Sequence, residues 1–254
     1  MIVANNLHFK QGNFVIEDLS LSFPKGEVTG IVGPNGSGKS TLLKLISRLL
    51  QQDSGAIYID DRDLLSYKRK ELARKMAMLV QLKEAMPSFT VREMVSYGRT
   101  PYQNVISGKT DEDQQIIEWA MKETGLTQLE DRLVHSLSGG EQQRVRIAMA
   151  LAQKTNILLL DEPTTYLDIG HQVELMALLK RINRELGITI IMVLHELQYA
   201  AAYCHHMIVM KQGKAFTSGI PNEVLTEDLL KQVYEIEAKI IYDGNYPSII
   251  PKQY

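Results

Sequence analysis

Gly33-Pro34-Asn35-Gly36-Ser37-Gly38-Lys39-Ser40-Thr41 decides the fold. The stretch fits the phosphate-binding pattern G-x-x-x-x-G-K-[ST] without a mismatch. Gly33, Gly36 and Gly38 allow positive φ and let backbone N–H groups close on an anion. Lys39 can place an ammonium on the β- and γ-phosphates, and the Ser40 hydroxyl can ligate Mg²⁺. The flanks fit as well. Val28, Thr29, Ile31 and Val32 read as a short buried strand. Leu42, Leu45, Ile46 and Leu49 follow at helical spacing, as one apolar stripe. That helix is expected to begin at Lys39 and to aim its N-terminal dipole at the phosphates. The reading is a nucleoside triphosphate site in an α/β fold.

Composition sets the frame around it. The chain has 254 residues, 44% of them hydrophobic and 23% charged, which is enough for one large core or two lobes. Its formal net charge is −2, with no basic tail, and this argues against nonspecific nucleic-acid binding. Cys204 is the single cysteine, so no intrachain disulfide is possible, and a small buried packing role is expected for it. No basic segment followed by an apolar run marks a signal peptide, and the longest apolar stretch, near 188–194, is far too short to span a bilayer. The expectation is a soluble chain, or one that docks on a membrane protein.

Residues 1–27 alternate loosely and read as an antiparallel β layer, with Pro24-Lys25-Gly26 as a turn before the phosphate-loop strand. Gly55 is expected to punctuate the chain before a strand at 57–60, and 77–80 reads as another strand that delivers Gln81 to its end. From about 86 to 136 the pattern is helical, which points to an inserted lobe. There Thr110-Asp111-Glu112-Asp113 resembles a capping box, Gly125 stops the helix, and Tyr97, Tyr102 and Trp119 are expected to pack. Leu137-Ser138-Gly139-Gly140-Glu141 then opens a helix running through Ala152, a second N-terminus suited to an anion.

Residues 157–160 read as a buried parallel strand that ends in Asp161 and Glu162, at the edge where open α/β sheets hold ligands. Asp161 suits a Mg²⁺ contact, and Glu162 can activate water. Thr164-Thr165-Tyr166-Leu167-Asp168 connects to a helix that Gly187 ends, and the strand 188–194 delivers His195. A hairpin turning at Gln212-Gly213 and a small C-terminal appendage complete the chain.

The phosphate loop, Gln81, Leu-Ser-Gly-Gly, Asp161-Glu162, Asp168 and His195 stand in the order and spacing of ATP-binding cassette (ABC) ATPases, and the chain resembles them over nearly its whole length. A finer resemblance is to the ATPase subunits of bacterial importers for iron-siderophores, haem and cobalamin, above all those for hydroxamate siderophores such as ferrichrome. It rests on residues 90–95, Gly98-Arg99-Thr100-Pro101, residues 163–169, His171-Gln172 and the tail from Glu223 to Pro251.

What the resemblance implies is a P-loop NTPase (RecA-like) core with a β layer over 1–85 and 137–225. It also implies a helical lobe over 86–136 and an appendage over 226–254. It implies a head-to-tail dimer of two copies with ATP and Mg²⁺ between them. Residues 33–41 would hold one nucleotide, while Ser138, Gly139 and Gly140 of the other copy would cover its γ-phosphate. Gln81 and Asp161 would attend Mg²⁺ with Ser40, Glu162 would polarise water, His195 would contact the γ-phosphate, and Asp168 would cross the interface. Transmembrane permease subunits and a solute-binding lipoprotein would be the partners, and the cytoplasmic face of the membrane the place.

Three positions depart from the family pattern. Lys10 stands where an aromatic often stacks on adenine, leaving Phe9 and Phe14 as alternatives; Val80 stands for a proline; Glu196 stands for an aspartate. A cassette acting in DNA repair would split its motifs with a long coiled coil, and no heptad run separates Gln81 from Ser138. A ribosome-binding cassette would usually be doubled, and this chain has one.

Overall fold

The computed structural model describes residues 1–81, 88–103, 110–244 and 246–252. The expected helical insert therefore begins, at 86 and 87, outside the described residues. In chain order the elements are β1 (Ile2–Gln11), β2 (Phe14–Phe23), β3 (Val28–Val32), α1 (Lys39–Ile46), β4 (Ser54–Ile59), β5 (Arg62–Asp63), α2 (Arg69–Lys75) and β6 (Met76–Leu79). Then come α3 (Val91–Ser96), α4 (Asp111–Glu123), α5 (Gly139–Ala152), β7 (Ile157–Asp161), α6 (Ile169–Leu186), β8 (Thr189–Val193) and α7 (Leu197–Tyr203). The chain continues through β9 (His206–Lys211), β10 (Lys214–Gly219), α8 (Pro221–Val224), α9 (Glu227–Tyr234), β11 (Ala238–Asp243) and β12 (Tyr246–Pro251). Two compact units divide it, Met1–Tyr67 with Asn183–Tyr254, and Lys68–Ile182.

The first unit holds the antiparallel layer in the order β2-β1-β4-β5. Alternation in β1 and β2, reset by left-handed Asn6 and Asp18 (φ 47° and 50°) where the register shifts, turns Ile2, Leu7, Ile16, Leu19 and Phe23 inward, each at most 2% exposed. Beside this layer, β3 pairs in parallel with β8 on one flank and β9 on the other, and β9 pairs with β10 as the expected hairpin. Every residue of β3 and of β8 is buried, as the unbroken apolar runs of parallel strands require. Cys204 is buried beside β3, its Sγ next to Gly30.

Two expectations fail here for local reasons. Leu49 is not on the apolar stripe of α1. The helix ends at Ile46, Arg48 takes the left-handed conformation (φ 59°), and Leu49 is 60% exposed. A left-handed residue after the last turn ends the helical period, so i+7 no longer points inward. Gly55 does not separate elements but lies inside β4, where its pairing with β1 slips in register.

In the second unit β6 and β7 pair in parallel, Leu79 opposite Leu160, and α5 packs against α3 and α4. The Thr110 capping box is present, with Thr110 Oγ1 accepting from the Asp113 N–H. Asp113 is also paired with Arg99 at 2.7 Å, both nearly inaccessible, and Arg99 donates to the Ala152 carbonyl at the end of α5. Tyr102 lies under the guanidinium groups of Arg74 and Arg99, and Trp119 under the Lys154 ammonium, so these two aromatics pack as expected. Tyr97 meets Phe89 but stays half exposed.

Candidate functional site

In the first unit, β3 delivers the phosphate loop and α1 leaves it. Gly33, Gly36 and Gly38 take φ of 145°, 76° and 102°, the positive angles that the sequence requires of them. Gly33 is the most constrained. A Cβ there would lie 2.1 Å from the Met210 carbonyl oxygen of β9, so the loop packs backbone on backbone. Lys39 is 5% exposed, and its Nζ donates to the Gly33 and Pro34 carbonyls at 2.8 and 3.0 Å, placing the ammonium inside the loop. Asn35 and Gly36 are exposed, and Ser40 and Thr41 lie at the helix entry. His195 follows β8, and the register Ile31 opposite Val193 puts Gly33 and His195 at the same strand edge. Phe14 abuts the loop: its Cζ would be 2.6 Å from a Cβ on Gly38, whereas Phe9 is buried in the β layer.

In the second unit the register of β6 with β7 brings Gln81 and Glu162 together. The Gln81 amide donates to Glu162 Oε2 at 2.8 Å, and Thr165 Oγ1 donates to the same oxygen at 3.2 Å. Glu162 itself is left-handed at φ 51°, which turns its carboxylate out of the strand line. Asp161 ends β7 and is buried.

Ser138 caps α5 with a reciprocal box. Its N–H and its hydroxyl both donate to Glu141 Oε2 at 2.9 Å, and these two bonds hold the Glu141 carboxyl below the usual range. Gly139 lies near Leu167, and Gly140 lies against the His171 ring, 2.2 Å from where a Cβ would be. His171 Nδ1 is 2.8 Å from Asp168 Oδ2, and His171 N–H donates to Asp168 Oδ1 at 2.9 Å. Those bonds hold the Asp168 carboxyl low. His171 is a member of this cluster for which the sequence gives no role beyond resemblance; its signal was only its place two residues after the start of α6.

The residues thus form two clusters, one per unit: 33–41 with His195, and Gln81, 138–140, Asp161, Glu162 and Asp168. Among the described residues no group of three or more His, Cys, Asp or Glu side chains could hold a metal alone. The Ser40 hydroxyl and the Asp161 carboxylate, each within its own unit, are hard oxygen donors of the kind that suits Mg²⁺. No helix of the described residues is long and apolar enough to cross a membrane.

Comparison with known proteins joins the two clusters in one family. The family model described as ABC transporter matches residues 16–165. The iron(3+)-hydroxamate import ATP-binding protein FhuC of Bacillus subtilis (strain 168) is 49% identical over 229 residues, 90% of this chain and 85% of its own length. The petrobactin import ATP-binding protein FpuC of Bacillus anthracis is 43% identical over 254 residues, 100% of this chain and 93% of its own. Among solved structures, the dimeric ATP-binding cassette MJ0796, in a post-hydrolysis state bound to ADP and Pi, superposes with a TM-score of 0.74 at 31% identity, covering 87% of this chain and 99% of that one. With phosphate loop, Leu-Ser-Gly-Gly cap and paired strand-end carboxylates all in place, the chain belongs to the ABC transporter family of ATP-hydrolysing cassettes.

Proposed function

We propose that this chain energises import of an iron-siderophore, or a chemically related chelate such as haem or cobalamin, through a membrane permease. It would act as a head-to-tail dimer at the cytoplasmic face, with a solute-binding lipoprotein delivering the cargo. The observation that carries the reading is the pair of anion-suited helix termini, 33–41 and 138–140, in separate units of one chain. The similarity to FhuC, an iron(3+)-hydroxamate import protein, and FpuC, a petrobactin import protein, supports the class of cargo.

The chemistry follows from the residues. Lys39 and the loop amides hold the β- and γ-phosphates, and Phe14, beside Gly38, is the better placed aromatic for adenine. Ser40, Asp161 and Gln81 would attend Mg²⁺, which would supply neutralisation of phosphate charge. Glu162 orients the attacking water and takes its proton. Its hydrogen bond to Gln81 links that base to the residue through which the metal site would be sensed. His195 contacts the γ-phosphate from the β8 edge. Ser138 and Gly140 of the second copy close the nucleotide, which requires Ser138 to exchange Glu141 for phosphate, and Asp168 crosses the interface. A cytoplasmic helix of the permease docks against the chain.

The test is growth of a deletion strain on individual iron sources, paired with phosphate release by the purified chain in the permease complex. Loss of growth on one hydroxamate siderophore, restored when the gene is returned, is expected. Undiminished uptake of every iron source in the deletion strain would overturn the cargo assignment, while leaving the ATPase reading to the phosphate-release assay.

A further inference from the structure

The C-terminal appendage has no chemistry legible in sequence, yet it reaches the phosphate loop within the first unit. α9 stops at Tyr234 because Glu235 turns left-handed (φ 60°) and the Ile236 N–H folds back to the Leu230 carbonyl at 3.3 Å. Lys211, at the end of β9, donates to the Gln232 carbonyl and ties the helix end to that strand. The residue before it, Met210, supplies the carbonyl against which Gly33 packs. The next turn donates the Gly213 N–H to the Ser37 carbonyl at 2.9 Å. The loop is therefore held from behind by β9, its turn and α9. Residues 34–37, Lys211, Gln212 and 233–235 line one cavity of about 310 Å³.

Two hydroxyls end at this junction with hydrogen-bonding capacity unspent. Ser37 Oγ, beside Gly33, and Tyr234 Oη are both buried and make no hydrogen bond of normal geometry. The Tyr234 phenol faces the Gly33 backbone. Its burial raises the phenol above its ordinary range, and the Gly33 amide pulls the other way. A buried hydroxyl gains most from a partner nearby, and small movements of the Gly33 peptide are the means of supplying one.

We infer that Tyr234 is a positioning residue for nucleotide binding: α9 sets its hydroxyl behind Gly33 and biases the loop toward the conformation that accepts phosphate. The same appendage packs β12 on α7, the helix that begins two residues after His195, so it braces both phosphate-facing elements of this unit. The inference rests on residues 33–41 holding the phosphates.

The test measures binding of a fluorescent ATP analogue to the full chain, with steady-state ATP hydrolysis, in four proteins: wild type, Tyr234→Phe, Tyr242→Phe and Lys39→Ala. Tyr242 is the control, since its hydroxyl donates to the Leu225 carbonyl away from the loop. Tyr234→Phe is expected to weaken binding by roughly three- to tenfold, the worth of one neutral hydrogen bond. KM for ATP should rise with kcat within about twofold, and the melting temperature without nucleotide should stay within about 2 °C of wild type. Tyr242→Phe should bind as wild type does. Wild-type affinity in Tyr234→Phe, or equal weakening in both tyrosine variants, overturns the inference. Wild-type affinity in Lys39→Ala would instead overturn the phosphate-loop reading beneath it. If Tyr234→Phe does not fold, Lys211→Met, which frees the same helix end at the surface, decides: weaker binding supports the inference and wild-type binding overturns it.

Discussion

Glu162 carries the strongest expectation at the scale of one residue. Its left-handed backbone costs about 1–2 kcal/mol, a strain that Gln81 and Thr165 help to hold by fixing the carboxylate. Glu162→Gln keeps the shape and removes the carboxylate proposed as base, so kcat for phosphate release should fall by about 10²–10⁴ while ATP affinity stays near wild type. Turnover at the wild-type rate would remove Glu162 from the role of base. Gly33 gives a second prediction. Alanine there would place its Cβ 2.1 Å from the Met210 carbonyl at φ 145°, and neither backbone segment can yield cheaply. Gly33→Ala should destabilise the chain by roughly 2 kcal/mol or more and lower ATP affinity; denaturant titration and nucleotide binding check both.

Among the elements, the helical part of the second unit depends on a buried ion pair that links three of them. Arg99 follows α3, Asp113 sits in the first turn of α4, and Arg99 reaches the last carbonyl of α5. Asp113→Asn leaves the guanidinium buried beside a neutral amide and should cost about 3–5 kcal/mol, measured by denaturant unfolding. The same carboxylate sets an acid limit. Burial raises its pKa, but Arg99 and Thr110 outweigh burial, and the net shift is downward. A group whose folded pKa is depressed stabilises above its unfolded pKa and loses that contribution as pH falls through the folded value. Thermal stability should therefore decline below about pH 4, and the Asp113→Asn protein should show a shallower decline. The Thr110 box was legible because it is four consecutive residues. The Arg99 pair was not, because nothing local says that a residue in the short 3-10 turn after α3 will meet the next helix.

For the whole molecule, the sharpest consequence of two clusters in two units is that nucleotide binding and turnover separate by mutation. Lys39→Ala should abolish the ATP-linked gain in stability, which for the wild type should reach about 2.7 kcal/mol at a hundred times Kd. Ser138→Arg should leave that gain intact yet abolish ATP-dependent dimerisation, read by light scattering, and hydrolysis with it. A Ser138→Arg monomer that hydrolyses ATP normally would show that no second copy shares the site.

Sequence by itself determined the features that are local in the chain. The phosphate loop with its three positive-φ glycines, the helix start at Lys39, the box at Thr110, the helix start after Ser138 and the strand ending at Asp161 each follow from a few neighbouring residues. Steric and hydrogen-bonding rules act over that range. Even there Leu49 shows the limit, since one left-handed residue at Arg48 undoes a four-residue stripe. Tertiary structure alone decided which distant groups meet: Gln81 with Glu162 across 81 positions, Gly140 with His171, and Tyr234 with Gly33. Those meetings depend on strand register and on where packed helices end. Both are settled by burial of the whole core rather than by any pattern a short window of sequence can hold.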